Sequence, residues 1–455
     1  MHDCGRERMS GDRVFAKCAL RLIPFMMALY VANYIDRTNA GFAALTMNAD
    51  LGFSAQAYGF GASILFVGYL LFQVPLAILL PRIGVRRGLF VILIVWGLLS
   101  ASTALVRDPI GFAVLRFCLG AAEAGFFPLM MLYLSRWFPR TYRTRFTALF
   151  MASIPLASLI AGPLSGFVLQ LDGVAGLAGW QWLFICEGLP CCLLAVAVFA
   201  VLPETPADAR WLDADEKRLI VSRVAAEDIA RHRNVWPALR DPRVYALGLV
   251  NFAILFGITG VQLWLPLIVQ SMGYSTFETS LIASAPYVVA LPAMIAWGRL
   301  SDLADERVRF VAIAAMAAAV GFIATSMLSS SVPSLLAITL ALTGLICMQP
   351  AFFSLLSVYL SGPAAAGGIA LVIAVSNVGS SLGPAMVGVI RQSTGGYGGA
   401  MAVFGVAEIL AAVLVIVIGR TMMPHNYALI STKRQVGVGP PAGYRLITDT
   451  DSRSE

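Results

Sequence analysis

Twelve stretches of mostly apolar residues, separated by short polar segments, run along the chain: 21–42, 57–80, 88–106, 111–135, 146–170, 180–202, 244–270, 279–301, 309–328, 333–360, 366–390 and 398–420. Roughly twenty apolar residues at a rise of about 1.5 Å each match a bilayer core. Each stretch therefore reads as a membrane-spanning helix. The stretches are too long for barrel strands and lack period-two alternation. The one long polar segment, 203–243, opens with Pro203 and Pro206 and has a charged, helix-like middle from Asp213 to Ala230. It separates six spans from six. The expected fold class is an all-α integral membrane protein of twelve transmembrane helices in two pseudo-symmetric six-helix bundles, the layout of a transporter with repeated halves. The expected organisation is an N-terminal tail at 1–20, a six-helix bundle at 21–202, a central loop at 203–243, a second bundle at 244–420 and a C-terminal tail at 421–455.

Composition narrows the class. Of 455 residues, 59% are hydrophobic and 13% are charged, against about 45–50% and 25% in soluble domains. The mean hydropathy is +0.80. These values exclude a soluble enzyme and a disordered protein. The formal charge is +7, which in a soluble chain would suggest nucleic acid. Position removes that reading. Of the 32 basic residues, 28 lie in the tails, the central loop and the loops after helices 2, 4 and 8, all on one side of a twelve-span bundle. The positive-inside rule makes that side cytoplasmic. The expected location is the inner (plasma) membrane, multi-pass, with both termini cytoplasmic. The stretch before the first span mixes acids with bases and has no small-residue cleavage site, so it is not read as a signal peptide.

A repeat supports the two halves. Gly162-Pro163 in helix 5 and Gly383-Pro384 in helix 11 are related by the shift that carries Pro81 onto Asp302. The last two residues lie in similar Gly- and Arg-bearing segments, one holding Arg82 and Arg86, the other Gly298 and Arg299. Gly162, Pro163 and Gly166 suggest a packing and rocking surface, because small residues let helices touch and Pro frees a backbone bond. Asp302 beside Arg307 and Arg309 suggests an inward gate in one half that Pro81 cannot provide in the other.

Ionisable groups inside spans are expensive and mark substrate or proton routes. Asp36, Arg37, Arg116, Glu123 and Glu187 are such groups, with Glu408 a sixth near the middle of helix 12. Asp36 beside Arg37 reads as a proton acceptor next to an anion binder, or as an ion pair. Arg116 and Glu123 are seven apart, hence on one helix face. Glu123 reads as a proton carrier, with Arg116 as its neutralising partner in the plainer reading. Glu187 reads as structural, and Glu408 carries no assignment. Gln262 and Trp264 in helix 7, and Ser376 and Asn377 in helix 11, are candidates for hydrogen bonding to substrate or for helix–helix contact. Tyr34, Tyr58, Tyr69, Tyr133 and Tyr287 are candidate cavity aromatics. The three His lie outside the apolar runs, so no His-based metal or acid/base site is expected in the membrane. No catalytic residue is assigned. No P-loop, zinc or nucleophile-elbow pattern occurs, so neither ATP nor a cofactor is expected and the energy comes from a gradient.

The residues resemble the major facilitator superfamily. The two segments after helices 2 and 8 resemble its G-x-x-x-D-R-x-G-R-R signature, with Pro81 replacing the acid in the first. R-x-x-x-G (Arg116, Gly120) and G-P-x-x-G (Gly162, Pro163, Gly166) also match. The stretches YIDRTNAG, YGFGASILFVGYLLFQVP, RFCLGAAEAGFFP, GWQWLFICEGLP, WLP and WGRLSD resemble its anion:cation symporters, in particular bacterial tartrate, phthalate and sugar-acid transporters. That resemblance implies proton-driven uptake of a small organic anion by alternating access. It assigns protonation to Asp36 and Glu123, carboxylate binding to Arg37 and Tyr34, and substrate contact to Asn377. A monomer surrounded by lipid is expected, with protons as the coupling ion. The rival readings are an exchanger or exporter of the same fold, and a transport-dead membrane receptor.

Overall fold

The computed structural model describes residues 2–228, 240–304, 306–328, 330–359 and 365–435; among these, the side chains of 2–11, 140, 141, 144, 145, 148, 226–228, 302, 357, 358, 365–367 and 422–435 are outside the description. Among the described residues, twelve helices are long and apolar enough to cross a membrane: α1 (Asp12–Asp50), α2 (Ala55–Ile83), α3 (Val85–Leu105), α4 (Pro109–Trp137), α5 (Leu149–Leu169), α6 (Gly179–Val201), α7 (Pro242–Gln270), α8 (Thr276–Ser301), α9 (Arg307–Met327), α10 (Ser331–Leu356), α11 (Gly368–Thr394) and α12 (Gly398–Thr421). The described residues contain no β-strand. The face where α1 begins and α12 ends is the terminal face; the other is the opposite face.

Local chemistry sets the helix starts. Ser54 Oγ accepts from Ala57 N–H at 3.1 Å and opens α2. Asp108 accepts from Ile110 and Gly111 N–H, with Pro109 in the first turn of α4. Asp241 and Pro242 do the same for α7. These side chains satisfy N–H groups that a helix start leaves unpaired, and Pro there gives up none that is needed. Gly84 turns the chain between α2 and α3 at φ +94°, a conformation that favours glycine.

Within the N-terminal half α2 packs on α4, α3 on α6, and α1 on α5 and α6; within the C-terminal half α7 packs on α11, and α9 on α10 and α12. The halves meet along α2 with α11, α5 with α8, and α1 with α7. Leu71, Phe72, Ile78 and Leu79 of α2 and Leu410, Val413 and Val417 of α12 face outward, as a lipid-bathed surface allows.

Two regions differ from the sequence expectation. Residues 12–20, expected in a tail, continue α1. Phe15, Cys18 and Leu22 recur every three or four residues and are fully buried, and Phe15 packs against Phe138 and Tyr142. The second is the central segment, whose middle is helical as expected but which also docks on the N-terminal half. Its helix Ala214–Asp228 is tied to α1 by Lys17 and Glu216 at 2.7 Å. Trp211 stacks on Trp137 with centroids 5.8 Å apart, and Arg21 lies 5.2 Å above it. Residues 229–239 of that segment, and 436–455 of the C-terminal tail, lie outside the described residues.

Candidate functional site

Two residues in α4 interrupt its helix. Segments Pro109–Glu123 and Phe126–Trp137 flank Ala124 and Gly125. Pro128 explains the break, because it has no N–H for the carbonyl of residue 124 and clashes with it. Glu123 therefore ends a helical segment at mid-span. It is fully buried, and its Oε2 accepts from Arg37 Nε at 2.7 Å. Its Oε1 has no partner among the described residues. Arg37 also lies 4.7 Å above the Tyr69 ring, a favourable place for a cation. Its side chain keeps 21% of its exposure and lines a cavity of about 160 Å³ between the halves.

The cavity has two unlike walls. Tyr30, Tyr34, Arg37, Phe66 and Tyr69 come from the N-terminal half. Thr259, Gln262, Gln349, Asn377 and Ser380 come from the C-terminal half. Hydrogen bonds join the halves here, from Tyr34 hydroxyl to Gln262 Oε1 at 3.1 Å and from Asn377 Nδ2 to Gln73 Oε1 at 3.2 Å. Gln262 Nε2 also donates to Ser158 Oγ at 3.3 Å. One cation, several aromatics and a set of amides suit an anion with hydroxyl or carbonyl groups.

Asp36 turns away from the cavity. One residue from Arg37 on a helix is about 100° round the axis. Its carboxylate accepts from Trp96 Nε1 at 2.7 Å, from Asn39 Nδ2 at 2.9 Å and from Ser100 Oγ, all within the N-terminal half. Asp36 and Arg37 do not form an ion pair. Arg116 differs from expectation too. It is 1% exposed, and its Nε and Nη1 have no hydrogen-bond partner among the described residues. Seven residues place it about 10 Å along the helix from Glu123, while Arg37 reaches Glu123 sideways from α1. Glu187 accepts from Ser165 Oγ at 2.9 Å, a contact between α5 and α6.

Trp264 and Ser376 sit beside cavity residues but are not among its lining residues. Trp264 Nε1 donates to the Pro384 carbonyl at 3.0 Å, and its ring meets Tyr58 edge-on. Ser376 accepts from Asn251 Nδ2 at 2.8 Å within the C-terminal half. Gln349, Thr259 and Ser380 were not singled out from sequence, because isolated neutral polar residues are common contacts between membrane helices.

The halves interlock toward the opposite face. A Cβ on Gly59 would stand 2.8 Å from the Pro384 carbonyl, one on Gly388 2.6 Å from that of Ala55, and one on Gly41 2.9 Å from that of Leu263. Tyr58 hydroxyl donates to the Leu263 carbonyl at 2.9 Å. At the loosened Gly162-Pro163 turn, Ser284 Oγ accepts from Gly162 N–H at 3.0 Å and donates to the Ser158 carbonyl at 3.1 Å. A Cβ on Gly166 would be 2.9 Å from Ser280. The second Gly-Pro copy is used differently. Gly383 packs on the Phe256 carbonyl of its own half, while the Pro384 carbonyl faces Gly59 across the interface.

On the terminal face, Glu204 accepts from Val85 and Arg86 N–H at 2.7 and 2.9 Å and from Arg136 at 3.0 Å. Arg86 lies 5.1 Å over the Phe199 ring, and Arg82 and Arg299 are exposed. Gly298 ends near Pro350. The Asp302 side chain, expected in a gate, lies outside the described residues. Arg309 pairs with Glu306 at 3.0 Å.

A model of the Major Facilitator Superfamily matches residues 26–366 and 273–437. The chain belongs to that superfamily. It is a membrane transporter of small organic substrates and not an enzyme. The chain is 41% identical to a protein of Agrobacterium vitis named "Putative tartrate transporter", over 91% of this chain and 96% of that one. It is 38% identical to the "Inner membrane transport protein RhmT" of Escherichia coli K12, over 82% and 87%. Its fold is similar to the crystal structure of a bacterial homolog to human lysosomal transporter Spinster in an inward-facing and occupied conformation. The TM-score is 0.74 and the identity 16%, over 88% of this chain and 96% of that one.

Proposed function

We propose that this superfamily member is a proton-coupled symporter of a small organic anion at the bacterial inner membrane, with its termini and central segment cytoplasmic. The observation that carries the reading is the Arg37–Glu123 pair in the wall of the central cavity. A substrate carboxylate and the Glu123 carboxylate compete for one guanidinium. Protonating Glu123 removes the competitor, so a proton and an anion load together. The cavity charge is then the same loaded as empty, which lets the halves rock without carrying an extra charge through an apolar barrier. Tyr34, Gln262, Gln349 and Asn377 line the same cavity, which supports a role for them in binding the rest of the substrate. Asp36 is a second protonation site, holding α1 to α3 through Trp96 and Ser100. Arg116 supplies the positive field behind both acids. The basic loops favour the cytoplasmic placement, and the names of the relatives favour a hydroxy-carboxylate such as tartrate.

The test is uptake of labelled tartrate, phthalate and galactonate into proteoliposomes with and without an imposed pH gradient. Accumulation of one of them that follows the gradient is expected. In Glu123→Gln, accumulation is lost and counterflow exchange persists, because a permanently neutral side chain leaves Arg37 free. Uptake that ignores both the gradient and this substitution overturns proton coupling. Counterflow without accumulation in the wild type assigns exchange instead.

A further inference from the structure

One buried carboxyl has no part in the cavity chemistry. Glu408 lies near the middle of α12, about 15 Å along the helix from Gly398. It is 0% exposed, and neither carboxyl oxygen has a hydrogen-bond partner among the described residues. Buried polar groups are nearly always paired, so a carboxyl with neither oxygen satisfied calls for an explanation.

The surroundings are built to receive it. α12 presents Phe404 and Glu408, one turn apart, to Gly260 and Gly257 of α7. A Cβ on Gly260 would stand 2.2 Å from the Phe404 ring, and one on Gly257 would stand 3.3 Å from Leu345 and 3.5 Å from Glu408 Oε1. The two glycines form a notch that the ring and the carboxyl fill. Gly257 is on the rear of α7. The cavity residues Leu255, Thr259 and Gln262 cluster on one side of that helix, and Gly257 follows Leu255 by about 200° of rotation. The basic residues of the helices packed on α12 lie at helix ends: Arg243 on α7, Arg307 and Arg309 on α9, and Arg391 on α11, with Arg420 at the end of α12 itself. No described donor reaches the carboxyl, and burying a charge without a partner is costly.

We propose that Glu408 is a second proton-binding group, remote from the cavity, whose proton holds α12 against the rear of α7 and so fixes the C-terminal cavity wall in the conformation seen here. Ionised Glu408 requires water, and water reaches it only when α7 and α12 part. The proton comes from bulk water as the helices close and returns there as they open. Glu408 is a positioning residue, acting on the cavity through α7. More protons are bound in the closed conformation, so that conformation is favoured at low pH and lost as pH rises through the Glu408 titration. The inference goes beyond the symport reading, and its test needs no transported substrate.

The experiment uses the full chain in lipid, with spin labels at Gln56→Cys on α2 and Gln392→Cys on α11 and the native cysteines replaced. Both positions are exposed near the opposite face. The closed-to-open ratio is read from the label distance across pH. The expected wild-type slope exceeds that of Glu408→Gln by one proton, about tenfold per pH unit, and Glu408→Asp restores it. The infrared band of a protonated carboxyl loses one component in Glu408→Gln. Where Glu408→Gln does not fold, Glu408→Met, of similar length and without a titrating group, serves in both comparisons. Equal slopes in wild type and variant, or an unchanged carboxyl band, overturn the proposal.

Discussion

The two halves share a helix count and a Gly-Pro motif but divide the chemistry unequally. The N-terminal half buries Asp36, Arg116, Glu123 and Glu187 and places Arg37 in the cavity wall. Among the described residues, the C-terminal half offers the cavity only neutral groups, including Thr259, Gln262, Gln349, Asn377 and Ser380. Its one buried carboxyl among the described residues, Glu408, lies behind α7. A cation and its competing carboxylate must sit on one rigid body, or their pairing would vary with every rocking motion. Neutral hydrogen-bonding groups carry no such demand and can close on the substrate from the other side. On the proposed reading, charge exchange falls to the N-terminal bundle and most of the neutral hydrogen bonding to substrate falls to the C-terminal one.

That division is most exposed at Arg37. Arg37→Ala removes the cavity cation and leaves the buried Glu123 carboxyl without its ion-pair partner. Breaking a buried pair in this way costs about 3–5 kcal/mol, so transport of the substrate identified in proteoliposomes is expected to fall at least about 100-fold. Activity within tenfold of wild type would place the anion site elsewhere. Adding Glu123→Gln to Arg37→Ala should recover protein stability, read as melting temperature, without recovering transport.

The interlock between halves comes next. A Cβ on Gly162 would stand 2.1 Å from Ser284 Oγ and 2.2 Å from the Ser280 carbonyl. Gly162→Val is therefore expected to force α5 and α8 apart. Overpacking of this kind costs about 1–3 kcal/mol, which shifts the closed-to-open ratio about tenfold toward open in the spin-label measurement. An unchanged ratio in Gly162→Val would show that α5 and α8 do not seal the opposite face.

The smallest effect is expected on the recognition side. Asn377→Ala removes one neutral amide, worth about 0.5–1.5 kcal/mol. The half-saturation concentration should rise about two- to tenfold while the pH-gradient dependence stays unchanged. Loss of gradient dependence in this variant would dissolve the distinction between the halves.

Much of this was legible in the chain. Twelve spans were expected and twelve are present, because insertion depends on the hydropathy of one contiguous segment at a time. The buried acids and arginines stood out for the same local reason, since a charge in an apolar run is costly wherever it points. Neutral residues gave no such signal. Gln262 and Trp264 are two apart, yet one lines the cavity and the other clamps the Pro384 carbonyl. Asn377 and Ser376 are adjacent and diverge in the same way. The start of α1 and the docking of the central segment carry a weaker signal in the sequence, because their apolar faces are short and resemble those of a soluble helix, with Phe15 and Ile220 fully buried.

The sequence by itself determined the number of spans, their grouping into two halves and the list of ionisable groups in the membrane. Tertiary structure alone decided the partners. Glu123 meets Arg37, 86 positions away, and not Arg116 on its own helix. Asp36 turns to Trp96 and Ser100 and leaves the cavity to its neighbour. Insertion energy sums along a helix and can be read residue by residue. An ion pair or hydrogen bond forms only within about 3 Å, and which groups come that close depends on how separate helices pack.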